Sequence, residues 1–141
     1  EIYIINASHV VPSGAVVAEV QAAVDPTSYS GEGYGLAPIG HQVTIHAATG
    51  VTVNIAMTLD LEDVTFADIR TLIEEACESY LDSLRQEWED VSSIIVRLSG
   101  IENKVLEIDG VHDVSVRLNG SAANLTLGAY EIPILGTVTG S

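Results

Sequence analysis

The chain has 141 residues, 47% of them hydrophobic and 18% charged, and a chain of that size buries about 68% of the surface it exposes unfolded, so an apolar core alone can hold it without staples. Twenty Asp and Glu stand against five Lys and Arg, a formal net charge of −15, which repels nucleic-acid phosphates and anionic membrane surfaces. The single cysteine, Cys77, excludes an internal disulfide and a Cys-based zinc site, and no run approaches the roughly 18 apolar residues of a membrane span.

Ile2-Tyr3-Ile4-Ile5 is apolar on both faces and predicts a short, covered strand. No basic region or apolar leader precedes it, and Glu1 opening straight into a strand reads as a segment of a longer chain. Pro12-Ser13-Gly14 leads into a helix whose one face is Val16, Val20, Ala23 and Val24, stopped by Asp25-Pro26. Residues 27–40, rich in Gly, Ser, Tyr and Pro, predict an ordered loop. His41 to Ala48 and Val51 to Leu61 alternate apolar and polar residues, and with a turn at Ala48-Thr49-Gly50 they predict a hairpin with one face in the core.

A helix from Phe66 to Gln86 is the clearest element. Thr65 and Asp68 form a capping-box pattern, and Val64 and Ile69 can staple the entry. Phe66, Ile69, Leu72, Ile73, Ala76, Tyr80, Leu81 and Leu84 make the apolar stripe, with Glu74, Glu75, Glu78 and Asp82 opposite. The like-charge pairs on that face each cost roughly 0.2–0.5 kcal/mol, which burial of the stripe at about 1.5–3 kcal/mol per large side chain outweighs. Val91 to Leu98 then reads as a strand, and Ser99-Gly100-Ile101-Glu102 as a second capping box opening a short helix ended by Asp109-Gly110. Val111 to Leu118 is a strand, Asn119-Gly120 a turn, and Leu125-Thr126 a continuation of that hairpin. Glu131 to Thr139 is extended, with Pro133 confining it to an edge or bulge. The fold class is α+β: short mixed sheets packed with two to three helices, arranged as two split-βαβ-like subdomains, 1–48 and 49–141, or as one continuous domain.

The chemistry-bearing residues are sparse. His41 and His46 sit five apart on one predicted strand, on opposite faces, and share no metal. Cys77, with no basic neighbour within a turn, reads as a packed, quiet thiol. Gly31-Glu32-Gly33-Tyr34-Gly35 follows no strand, opens no helix and has no lysine, so it lacks the parts of a nucleotide loop. Trp88, among Glu87, Glu89 and Asp90, is either a core plug at the helix end or an exposed anchor for a partner. No cofactor or catalytic residue is assigned. The alternative is a small ligand-binding or enzymatic α+β domain using the Gly31–Gly40 loop and His41.

Gly31-Glu32-Gly33-Tyr34-Gly35-Leu36-Ala37-Pro38-Ile39-Gly40, followed by a Val/Thr-rich strand, resembles the signature of baseplate J-like proteins, the tail baseplate wedge proteins of Mu-type contractile phages and related prophages. The order of Val20 to Pro26, the acidic helix with Tyr80-Leu81, Ile108 to Val114, Leu118-Asn119-Gly120 and Glu131 to Gly136 is similar too, and corresponds to the C-terminal portion of a family member. The resemblance implies a non-enzymatic component of the virion tail baseplate, assembled in the host bacterial cytoplasm. Its partners are then other baseplate and tail proteins, or further copies of itself, without nucleic acid or membrane. Candidate docking residues are Glu74, Glu75, Glu78 and Asp82 on the acidic helix face, Trp88, and Tyr34 on the glycine loop.

Overall fold

A computed structural model describes residues 1–141, which divide into two compact units, Glu1–Thr49 and Gly50–Ser141. Helices and short strands interleave along the chain, an α+β architecture.

In the first unit β1 (Ile2–Ile4) pairs in parallel with β2 (Ile45–Ala47), Ile2 lying opposite Ile45 and Ile4 opposite Ala47. A parallel pair needs a crossover, supplied here by α1 (Gly14–Val24) and the glycine-rich segment after it. Ser13 caps α1, its hydroxyl oxygen accepting from Val16 N at 3.4 Å. The inward face of α1 differs from the predicted one. Val16 and Ala23 are exposed, and the more covered positions are Val17, Val20, Gln21 and Val24. Gln21 belongs there because its amide is fully used: Nε2 donates to Asp25 O (2.6 Å) and Val43 O (2.9 Å), and Oε1 accepts from Ile45 N (2.8 Å).

Those bonds also explain why the predicted strand from His41 to Ala48 shrinks to Ile45–Ala47. The Val43 amide and carbonyl are taken by side chains of Asp25 and Gln21, leaving no ladder there. The predicted hairpin between this strand and the next does not form. β2 pairs with β1 instead, and β3 (Thr49–Leu61) lies between β5 (Val111–Leu118) and β7 (Glu131–Gly140).

In the second unit β3 and β5 are antiparallel, with Ile55 opposite Leu118 and Leu59 opposite Val114. Ser141 N donates to Met57 O (3.0 Å) while Leu59 N donates to Ser141 O (2.9 Å), the two-position bridging of a parallel pair, so the sheet is mixed. Val53, Ile55 and Met57 of β3 point into the core, and Thr52, Asn54, Ala56 and Thr58 point to solvent. Asn119 (φ 49°) and Gly120 (φ 81°) make the tight turn after β5, which is the left-handed pair that a type I′ turn requires.

The covered face of the sheet carries α2 (Phe66–Gln86) against β7 and α3 (Leu98–Leu106) against β5. At the start of α2 the Thr65 amide and hydroxyl both donate to Asp68 Oδ2, at 2.9 and 2.6 Å. Those bonds hold the Asp68 carboxyl below its usual pKa, the hydroxyl contributing most. The buried residues of α2 are Ile69, Ile73, Cys77, Leu81 and Arg85, one ridge of i,i+4 spacing. Leu72, predicted in the stripe, lies off that ridge and is 51% exposed. Cys77 lies within it, and burial, aided by the Glu74 charge, pushes its thiol up to about 12.

Three further expectations are corrected here. The strand predicted from Val91 to Leu98 is only β4 (Ile95–Val96), because Arg97 already caps α3. The second capping box is absent. α3 begins at Leu98, whose amide donates to Asn124 Oδ1 (3.0 Å), and Glu102 accepts instead from Val116 N (3.2 Å). β6 (Leu125–Thr126) pairs with β4, not with β5. Gly110 does take a left-handed φ of 91°, at the entry to β5, after α3 has ended at Leu106. β7 is an edge strand, as Pro133 requires.

Candidate functional site

The glycine loop is built around one carboxylate. Asp25, only 2% exposed, accepts from Ser30 Oγ (2.7 Å) and Val43 N (2.9 Å) on Oδ2, and from Gly31 N (3.0 Å) on Oδ1. The Ser30 hydroxyl, then the Val43 and Gly31 amides, hold its pKa below the usual carboxylate value against the opposing effect of burial. The rest of the loop closes on itself and on α1: Leu36 N donates to Ala23 O (3.1 Å), Ala37 N to Val24 O (2.8 Å), and Gly40 N to Gly31 O (2.8 Å). Gly31, Gly33 and Gly40 have φ of 80°, 76° and 85°, and Gly35 passes so close to α1 that a Cβ there would lie 2.3 Å from Val24 O. The amides of Gly31, Leu36, Ala37 and Gly40 are spent inside the protein and none of these four is offered to a phosphate.

What the loop offers outward is apolar. Tyr34 is 71% exposed, Leu36 81% and Ile39 79%. The Tyr34 ring lies 4.7 Å from that of Tyr29. Sequence reasoning named Tyr34 but not Leu36 or Ile39. Their signal was two large aliphatic residues in a segment with no strand or helix period to bury them. His41 is exposed and lies in no strand, which corrects the expectation that it shares one with His46. The His46 ring instead stacks on Tyr3 at 5.0 Å. No three His, Cys, Asp or Glu side chains are grouped as a metal site.

On α2 the four predicted acidic residues do share a face, where they line an open groove with Leu135. They are not simply solvated opposite the apolar stripe. Arg70 Nε donates to Glu74 at 2.8 Å. Arg85, 2% exposed, ion-pairs with Glu78 and with Asp82 (3.4 Å), while its Nη1 donates to Pro133 O at 2.9 Å. Two arginines thus offset part of the face, and Arg85, missed from the sequence because charge argues against burial, ties the helix to β7. Trp88 opens a short 3-10 segment, Trp88–Asp90, and is half-buried; its Nε1 is buried without a hydrogen-bond partner. No helix is long and apolar enough to cross a membrane.

Fold and surface define an α+β module whose buried ionisable groups, Asp25 and Arg85, serve its own architecture, and whose outward features are a hydrogen-bonded apolar loop and an acidic groove. Residues 53–141 match the Baseplate J-like protein C-terminal domain, and the chain belongs to this family. It is 33% identical over 140 residues to the phage-like element PBSX protein XkdT of Bacillus subtilis (strain 168), and equally to the uncharacterized protein YqbT of the same strain. In both cases the match takes in 98% of this chain but 38% of the relative, so the chain spans well under half the length of these proteins.

Proposed function

We propose that the chain is a structural part of a phage or prophage tail baseplate, acting by protein–protein assembly and not by catalysis, within the virion tail and assembled in the host cytoplasm. Its partners are other tail and baseplate proteins, and neither nucleic acid nor membrane. The observation that carries this reading is the family membership over residues 53–141. It is supported by the way the polar groups are spent: the buried carboxylate and guanidinium, Asp25 and Arg85, hold loop and helix in place. Two parts share the work. Residues 1–48 carry the glycine loop with Tyr34, and residues 49–141 carry Glu74, Glu75, Glu78 and Asp82, with Trp88 beside the end of their helix. The acidic groove meets basic side chains of a neighbour.

The test is charge reversal in the full-length parent protein, Glu74→Lys, Glu75→Lys and Glu78→Lys together, followed by co-sedimentation with tail particles. Reduced incorporation of a folded variant is expected. Unchanged incorporation removes the docking role from that face, and absence of the unmodified parent from purified particles overturns the assignment to the tail.

A further inference from the structure

We propose that the loop from Tyr29 to Gly40 is a preformed apolar plug, and that its occupant is an apolar socket, rimmed by lysine or arginine, on another tail protein. This rests on the assembly reading above and adds the chemistry of the partner.

Large apolar side chains left in water normally belong to mobile segments or to scattered positions. Here the loop is stiff: its turns close on Asp25 and on the carbonyls of Ala23, Val24 and Gly31. The protein thus commits a buried carboxylate with three hydrogen bonds, Asp25, to the loop from which Tyr34, Leu36 and Ile39 stand at 71%, 81% and 79% exposure. One aromatic and two aliphatic side chains exposed on a hydrogen-bonded backbone have the composition of an apolar anchor that fills a partner's pocket. Its fixed backbone removes the ordering cost that a floppy loop bears on docking.

Charge selects the occupant. Residues 1–69 contain no lysine or arginine, and the only ionised group on the loop itself is Glu32. A second copy of this chain offers only five cations, Arg70, Arg85, Arg97, Lys104 and Arg117, among twenty Asp and Glu, and its net charge of −15 repels Glu32 over longer range. An anionic lipid surface is disfavoured for the same reason, since a membrane-seeking loop keeps basic residues beside its apolar tip. A protein socket with a cationic rim satisfies both the apolar tip and Glu32.

The test uses the intact chain immobilised through a terminal tag, with each purified tail protein encoded alongside it flowed over in turn at low and high salt. One of them is expected to bind. Leu36→Asp and Ile39→Asp should each weaken that binding roughly 30-fold or more. Glu32→Lys should weaken it about three- to tenfold and flatten the salt dependence. Thermal unfolding must stay unchanged in all three, as their exposure predicts. Binding that survives Leu36→Asp and Ile39→Asp, or no binder among the tail proteins, overturns the proposal. So does concentration-dependent self-association in analytical ultracentrifugation that Leu36→Asp abolishes, or loop-dependent flotation with phosphatidylglycerol vesicles. Loss of binding in these variants while the Glu74/Glu75/Glu78 reversal has no effect would retain the plug and remove the acidic groove; the converse would retain the groove and remove the plug.

Discussion

Replacing Arg85 by methionine isolates the tie between α2 and β7. The guanidinium is 2% exposed and its Nη1 is the donor to the Pro133 carbonyl. Methionine keeps most of the stem packing but leaves that buried carbonyl without its donor, a loss of about 1–3 kcal/mol. The ion pairs add little, because the Glu78 and Asp82 side chains are 46% and 35% exposed and water takes over their solvation, at up to about 1 kcal/mol each. Against these losses stands the relief of no longer burying a charged group whose Nε has no hydrogen-bond partner. The carbonyl term decides the sign, so Arg85→Met should lower unfolding free energy by about 1–3 kcal/mol. Arg85→Ala should lose a further 2–5 kcal/mol or so through the cavity it opens. Urea titrations followed by circular dichroism, with the slope held constant, measure both. An Arg85→Met protein as stable as the unmodified one, or more so, would show that the buried arginine is a net cost and not the tie described here.

Other consequences concern single groups. The lowered pKa values of Asp25 and Asp68 place their stabilising effect above the unfolded carboxylate value of about 3.9. That effect is lost as pH falls through the lower folded values, so an acid titration of stability should stay flat to about pH 5 and fall below 4; Asp25→Asn should reduce the fall. The Cys77 thiol, buried and pushed up to about 12, should resist a thiol-specific disulfide reagent at pH 8 in the native state and react at the rate of unfolding; a fast native reaction would contradict its burial. Gly120→Ala meets no atom within 4 Å but must hold a φ of +81°, so it should cost about 1 kcal/mol through backbone strain alone, read from the same denaturation curves.

Periodicity made the long elements legible. β5 and α2 have the predicted bounds, and β3 is only two residues longer than read, because a dozen or so alternating or helical positions outvote local noise. The short elements were decided by side chains distant in sequence. Asp25 and Gln21 take the ladder groups of Val43, Asn124 starts α3, and Glu102 answers Val116 across the packed face. None of these bonds has a periodic signature. Arg85 in the buried ridge was invisible for a related reason: a hydropathy pattern cannot register a charge whose Nη atoms find acceptors on Pro133, Glu78 and Asp82. The loop was recognisable as glycine-strained, but which way Leu36 and Ile39 point follows from the Asp25 cage and not from composition.

Electron cryomicroscopy of tail particles carrying the full-length parent tests the account at its centre. Density for this module within the baseplate, with Tyr34, Leu36 and Ile39 seated in a neighbouring subunit beside cationic side chains, is the predicted result. A baseplate without the module, or one in which the loop tip stands free in solvent, would contradict it.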